Sequence, residues 1–136
     1  MDVPIDGPVI LIAERDRTVR ELQEYFLNRA GLRVRFADDG QTALDLAQDL
    51  LPALVVAEIL IPALDGLALC RRLGEDSRTR HIPVVIFSLL TAEQRAKEAG
   101  AAAFLRKPLV ESVFVSAVQR LLAAQPPVKE ERWISP

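Results

Sequence analysis

The stretch from Leu54 to Gly66 constrains this chain more than any other. Leu54-Val55-Val56-Ala57 is uninterrupted apolar sequence, Glu58 ends it, and a loop containing Pro62, Asp65 and Gly66 follows. A continuous apolar, β-branched run reads as a strand covered on both faces, the kind found in parallel sheets. In open α/β sheets, sites form beyond the carboxyl ends of such strands. The stretch therefore predicts a central strand that delivers one acidic side chain to the rim of a sheet.

The remaining chain repeats that alternation. Val9 to Ala13 is apolar and runs straight into Glu14-Arg15-Asp16, where Asp16 suits the N-cap of a helix reaching about Ala30. Val19, Leu22, Phe26 and Ala30 would form its apolar stripe, and Gly31 its stop. Leu32 to Ala37 alternates, as an edge strand with one wetter face does. Gln41 to Leu50 reads as a helix with Leu44, Ala47 and Leu51 inward, ended by Pro52. A third helix is expected from Leu67 to about Leu73, closed by Gly74, before the apolar strand Pro83 to Ser88. Thr91 would cap a short fourth helix lasting to Ala99; Ala101 to Leu105 is a small-residue strand, Lys107-Pro108 a turn, and Val110 to Ala124 the last helix. Five strands alternating with five helices imply right-handed crossovers and a parallel sheet with helices on both faces. The expected organisation is an N-terminal extension over 1–7, one domain over 8–124 and an extended tail over 125–136.

Composition excludes several function classes. At 136 residues the chain fits one domain with a substantial core. A formal net charge of −2 without a basic stripe argues against nucleic-acid binding, and nothing after Ala124 suggests a helix-turn-helix. The single cysteine, Cys70, supports neither an internal disulfide framework nor a multi-cysteine zinc site, and reads as an inert core thiol in a cytoplasmic protein. The acidic, interrupted N-terminus is not a signal peptide, and no apolar run approaches the roughly 20 residues of a membrane span.

The strand ends place Glu14 and Arg15, Glu58, Ser88 and Lys107 around one crevice. This order resembles the receiver domain of two-component response regulators over nearly all of residues 8–124. The likeness is carried by Ile10-Leu11-Ile12 with its acidic end, Pro62-Ala63-Leu64-Asp65-Gly66, Arg78-Thr79-Arg80-His81-Ile82-Pro83-Val84, Gly100-Ala101 and Phe104-Leu105-Arg106-Lys107-Pro108. The resemblance implies a flavodoxin-like, doubly wound (βα)5 fold with strand order 2-1-3-4-5. It also implies a phosphoryl-accepting aspartate ending the third strand, supplied by a histidine kinase. Two acids ending the first strand would join that aspartate in holding Mg²⁺. A Ser or Thr ending the fourth strand and a Lys before Pro would contact the phosphoryl oxygens, and a fifth-strand aromatic would change rotamer on activation. Matched residue by residue, the acceptor position is Glu58, the acidic pair Glu14 and Arg15, the phosphoryl contacts Ser88 and Lys107, and the aromatic Phe104.

The departures share a physical direction. Glu14, Glu58, Arg15 and Lys107 sum to zero formal charge, so the demand for a divalent cation is removed. Arg15 is expected to pair inside the crevice, where a guanidinium opposes the octahedral oxygen shell, at roughly 2.0–2.1 Å, that Mg²⁺ requires. Glu58 carries its carboxylate one carbon–carbon bond further toward Ser88 and Lys107. An ion pair there at ~4 Å and an effective dielectric of ~20 gains about 4 kcal/mol before desolvation is charged against it. The Ser88–Gly100 connection is shorter than the family's by about one helical turn.

These features predict no metal or other cofactor, no enzymatic activity, and a degenerate, stand-alone receiver acting through protein contacts. Its partners would be a histidine kinase, another regulator, a scaffold or a second copy. Val115 and Leu122, seven residues apart on the last helix and expected to point away from its core face, are the candidate partner surface. Trp133 reads either as a docking motif or as a residue that folds back on the domain. The competing readings are a receiver phosphorylated on Glu58 and a flavodoxin-like small-molecule-binding protein. The second of these lacks a Gly-X-Gly-X-X-Gly after the first strand. Asp16 and Asp65 are accounted for by capping and turn chemistry.

Overall fold

The computed structural model describes residues 7–124. Trp133 and the segments 1–6 and 125–136 lie outside the described residues. Strands β1 (Val9–Ala13), β2 (Arg33–Ala37), β3 (Leu54–Ala57), β4 (Val84–Ser88) and β5 (Ala103–Arg106) alternate with five helices. These are α1 (Arg17–Arg29), α2 (Gly40–Leu50), α3 (Gly66–Glu75), α4 (Glu93–Glu98) and α5 (Glu111–Ala123). All pairings are parallel, in the order β2-β1-β3-β4-β5, so the fold is flavodoxin-like.

The apolar runs are explained by burial on both sides. Along β1, Ile10 and Ile12 join a cluster with Leu27 of α1 and Phe114, Val118 and Leu121 of α5. Leu11 and Ala13 point the other way, into a cluster with Leu44 of α2, Leu69 and Leu73 of α3 and Ala96 of α4. The same alternation continues in β3, where Leu54 and Val56 face the first cluster and Val55 and Ala57 the second. Strand β2 lies at the edge, and its first four residues are only partly covered or exposed, as the alternation predicted. Among the described residues no helix is long and apolar enough to cross a membrane.

Asp16, Asp39 and Asp65 each accept a backbone N–H three residues on and so start α1, α2 and α3. Several local expectations are corrected. Gly74 lies inside α3 and does not end it. Thr91 does not cap α4; the N-cap is Ala92, which makes no side-chain hydrogen bond. In α1 the fully buried positions are Gln23 and Leu27, while Leu22 is 42% exposed. The apolar stripe is thus rotated from the one expected, and a glutamine occupies a core position. Leu51 is half exposed and caps α2 in the left-handed region, at φ 49°. Val115 and Leu122 do not point away from the core, since both pack against the cluster formed by α1, α5 and the sheet. The exposed large apolar residue of α5 is Val113.

Candidate functional site

The carboxyl ends of β1 and β3 lie side by side because Ala13 registers with Ala57. The next residues are Glu14 and Glu58, and the Glu58 N–H continues the ladder by donating to the Ala13 carbonyl at 3.0 Å. Both carboxylates are sheltered: Glu14 is 2% exposed and Glu58 6%. Gly66 fixes the end of β3 from outside. A Cβ at that position would stand 2.3 Å from the Glu58 carbonyl oxygen, so only glycine lets α3 begin this close to the strand end.

Lys107 enters the crevice from the end of β5 and places its ammonium between the two acids. Nζ is 2.8 Å from Glu14 Oε1 and 2.9 Å from Glu58 Oε1. The other oxygens are also engaged. Glu14 Oε2 accepts the Asp16 N–H at 3.0 Å, and Glu58 Oε2 accepts the Leu60 N–H at 3.2 Å and the Ser88 hydroxyl. Ser88 is fully buried at the end of β4, and its Oγ accepts the Leu90 N–H at 3.3 Å. The Ser88 carbonyl accepts the Lys107 N–H at 3.0 Å. Glu58 is therefore tied to the fifth strand through Lys107 and to the loop after β4 through Ser88.

Electrostatics follow from these contacts. Burial pushes the Glu58 carboxyl up, but the Ser88 hydroxyl, the Lys107 ammonium and the Leu60 N–H together hold it below the ordinary glutamate value. Burial pushes the Lys107 ammonium down, and the bonds to Glu14 and Glu58 outweigh this and raise it above the ordinary lysine value. Both groups are held in their charged forms at neutral pH.

Four of the residues read from the sequence therefore converge: Glu14, Glu58, Ser88 and Lys107. Arg15 does not join them. It is exposed and forms no ion pair with a described residue. The crevice thus holds two carboxylates against one ammonium, and its formal charge is not zero as expected from the sequence. Phe104 is 3% exposed and lies in the core cluster on the α2–α3–α4 side, where it also lines a groove with Thr91, Pro108 and Val113. The tie from Ser88 Oγ to Leu90 N–H was missed by the sequence reading, which had no signal for a loop amide.

Residues 10–119 match the response regulator receiver domain family. The chain is 34% identical over 116 residues to the response regulator PleD of Caulobacter vibrioides, covering 83% of this chain and 25% of PleD. It is 34% identical over 118 residues to the DNA-binding dual master transcriptional regulator RpaA of a Synechocystis strain, covering 85% of this chain and 49% of RpaA. The chain thus spans between a quarter and a half of these curated relatives. A crystal structure of a putative response regulator from Chloroflexus aurantiacus superposes with a TM-score of 0.83 at 32% identity, covering 88% of this chain and all of that one. With the fold, the crevice at the strand ends and these relatives in agreement, the chain belongs to the response regulator receiver domains of two-component signalling.

Proposed function

We propose that this receiver domain works without accepting a phosphoryl group, as a pseudo-receiver that signals through protein contacts in one fixed state. One observation carries the reading: the Glu58 carboxylate already holds the Ser88 hydroxyl and the Lys107 ammonium. By resemblance these are the groups that would contact phosphoryl oxygens. Phosphoryl transfer depends on open positioning and charge neutralisation, and both resources are committed internally here.

The donor set does not fit Mg²⁺. Among the described residues no three His, Cys, Asp or Glu side chains come together as a metal site, and the two acids present share the Lys107 ammonium. Arg15 works against the ion by replacing an acid and not by occupying the crevice. We infer negligible Mg²⁺ affinity and no catalytic role for these residues. The partners that fit such a module are a histidine kinase, another regulator, a scaffold or a second copy of the chain.

Acetyl phosphate or phosphoramidate with Mg²⁺, read by intact mass, tests the proposal. No added phosphoryl mass is expected, and an adduct mapped to Glu58 would overturn it. The paired change Arg15→Asp and Glu58→Asp is expected to create Mg²⁺-dependent phosphorylation.

A further inference from the structure

Between α5 and the edge of the sheet runs a groove of about 250 Å³, lined by Ala103 and Leu105 of β5 and by Val113, Ser116, Ala117 and Arg120 of α5. Its walls are mostly apolar, and Val113 is 46% exposed. Strand β5 lies at the edge, with β4 as its one neighbour among the described residues. Proteins commonly cover such an edge with another segment. Arg120 is exposed, lines the end of the groove nearer the helix terminus, and forms no ion pair with a described residue.

We propose that the groove holds residues 129–133 of its own chain, laid back along α5, with Glu131 on Arg120 and Trp133 against Val113 and Ser116. The place of attachment selects this occupant. Helix α5 ends at its cap, Ala124, one turn beyond Arg120. Nine residues lead from Ala124 to Trp133 and can span at most about 30 Å, whereas Val113 lies only ~16.5 Å back along the helix.

Spacing and charge fit as well. In an extended chain Lys129, Glu131 and Trp133 share one side at intervals of ~6.6 Å. Ala124, Arg120 and Ser116 follow one another along α5 at ~6 Å. Glu131 at the height of Arg120 therefore sets Lys129 beside the carbonyl end of α5, where a cation is favoured, and Trp133 beside Ser116 in the apolar part of the groove. The groove on the other side of α5, toward α1, has no such free charge, because its Arg29 stands 3.8 Å from its Glu111. Tethering by a few residues gives an effective concentration on the order of mM, so a contact too weak to hold a free peptide suffices. A protein that approaches β5 and Val113 would have to displace Trp133.

Trp133 is the chain's one tryptophan, so its fluorescence reports the contact directly. In the full chain its emission is expected to be blue-shifted, and its acrylamide quenching about threefold weaker than in a peptide of residues 125–136, since a mostly docked population shields the ring. This protection is expected to be the same at every protein concentration. Arg120→Glu and Glu131→Arg should each raise quenching toward the peptide's value, and combining them should restore protection, which a dipole effect of Arg120 on α5 would not do. Val113→Asp, at an exposed position, tests the apolar contact without relying on charge and should also raise quenching. None of these readouts involves phosphoryl transfer, so this contact and the pseudo-receiver reading fail separately. Quenching equal to the peptide's, protection that grows with concentration, or protection indifferent to Arg120→Glu and Val113→Asp would each overturn the proposal.

Discussion

At the carboxyl ends of β1, β3 and β5, the buried Glu14 and Glu58 share the ammonium of Lys107; in α1, Gln23 is equally sheltered and meets nothing. Among the described residues neither Gln23 Oε1 nor Nε2 has a hydrogen-bond partner. Burial alone therefore does not mark a functional residue, and the difference between the two places lies in satisfaction. A buried ion cluster commonly adds little stability over a well-packed apolar replacement, yet removing one member is severe because the others are left charged and unpaired. An unpartnered buried amide is a smaller, purely local cost.

The largest effect expected from breaking this contrast is at Lys107. Lys107→Met leaves two buried carboxylates facing each other and should destabilise the domain by about 3–5 kcal/mol, measured by urea denaturation. Ser88→Ala removes a donor to the ionised Glu58 and should cost roughly 1.5–3 kcal/mol in the same assay. It should also loosen Leu90, read as faster amide exchange there, because Ser88 Oγ is the acceptor for that N–H.

Gln23→Met has the opposite sign. It keeps the volume and removes the unpaired amide, so stability should rise by about 1–3 kcal/mol, visible as a higher midpoint at unchanged m-value. A loss of stability would show that the glutamine has a partner in solution.

The pH dependence is a subtler discriminator. Glu58 is held below its ordinary value of 4.5, so its contribution is fully present above pH 4.5 and is lost as pH falls through its folded-state value. Lys107 is held above 10.5, so its contribution is present below pH 10.5 and is lost as pH rises through its folded-state value. Glu58→Gln should flatten the acid limb of the stability profile and leave Gln23 variants unaffected in theirs. Smallest of all, Leu51→Gly relieves a left-handed backbone at φ 49° and should gain at most ~1 kcal/mol, detectable as a modest rise in Tm.

Much of the fold was legible because its signals are local. Apolar runs at Ile10 to Ile12, Leu54 to Val56 and Val84 to Phe87 mark two-sided burial, and Asp16, Gly31 and Pro52 punctuate the helices between them. Strand order came from family resemblance, not from the residues themselves. The errors arose where a one-dimensional pattern admits neighbouring answers. In α1 the buried positions shift to Gln23 and Leu27, because the contact with the sheet and α5 selects the angle of the helix. In α5 the same uncertainty set Val115 and Leu122 on the outer face, whereas both pack against the core. Arg15 was misplaced for a different reason: a long flexible side chain at a strand end can point either way, and sequence carries no information on its rotamer.

What the sequence by itself determined is the inventory and its address. Glu14, Glu58, Ser88 and Lys107 must fall at strand ends, since each directly follows or closes an apolar run or precedes the Lys107–Pro108 turn. Whether those charges would meet was decided by tertiary structure alone. Parallel register sets Ala13 beside Ala57 and Ile86 beside Phe104, and so draws three separate strand ends around one ammonium that water cannot easily reach. In the unfolded chain the same side chains are hydrated and far apart; packing removes their water and leaves them one another as partners.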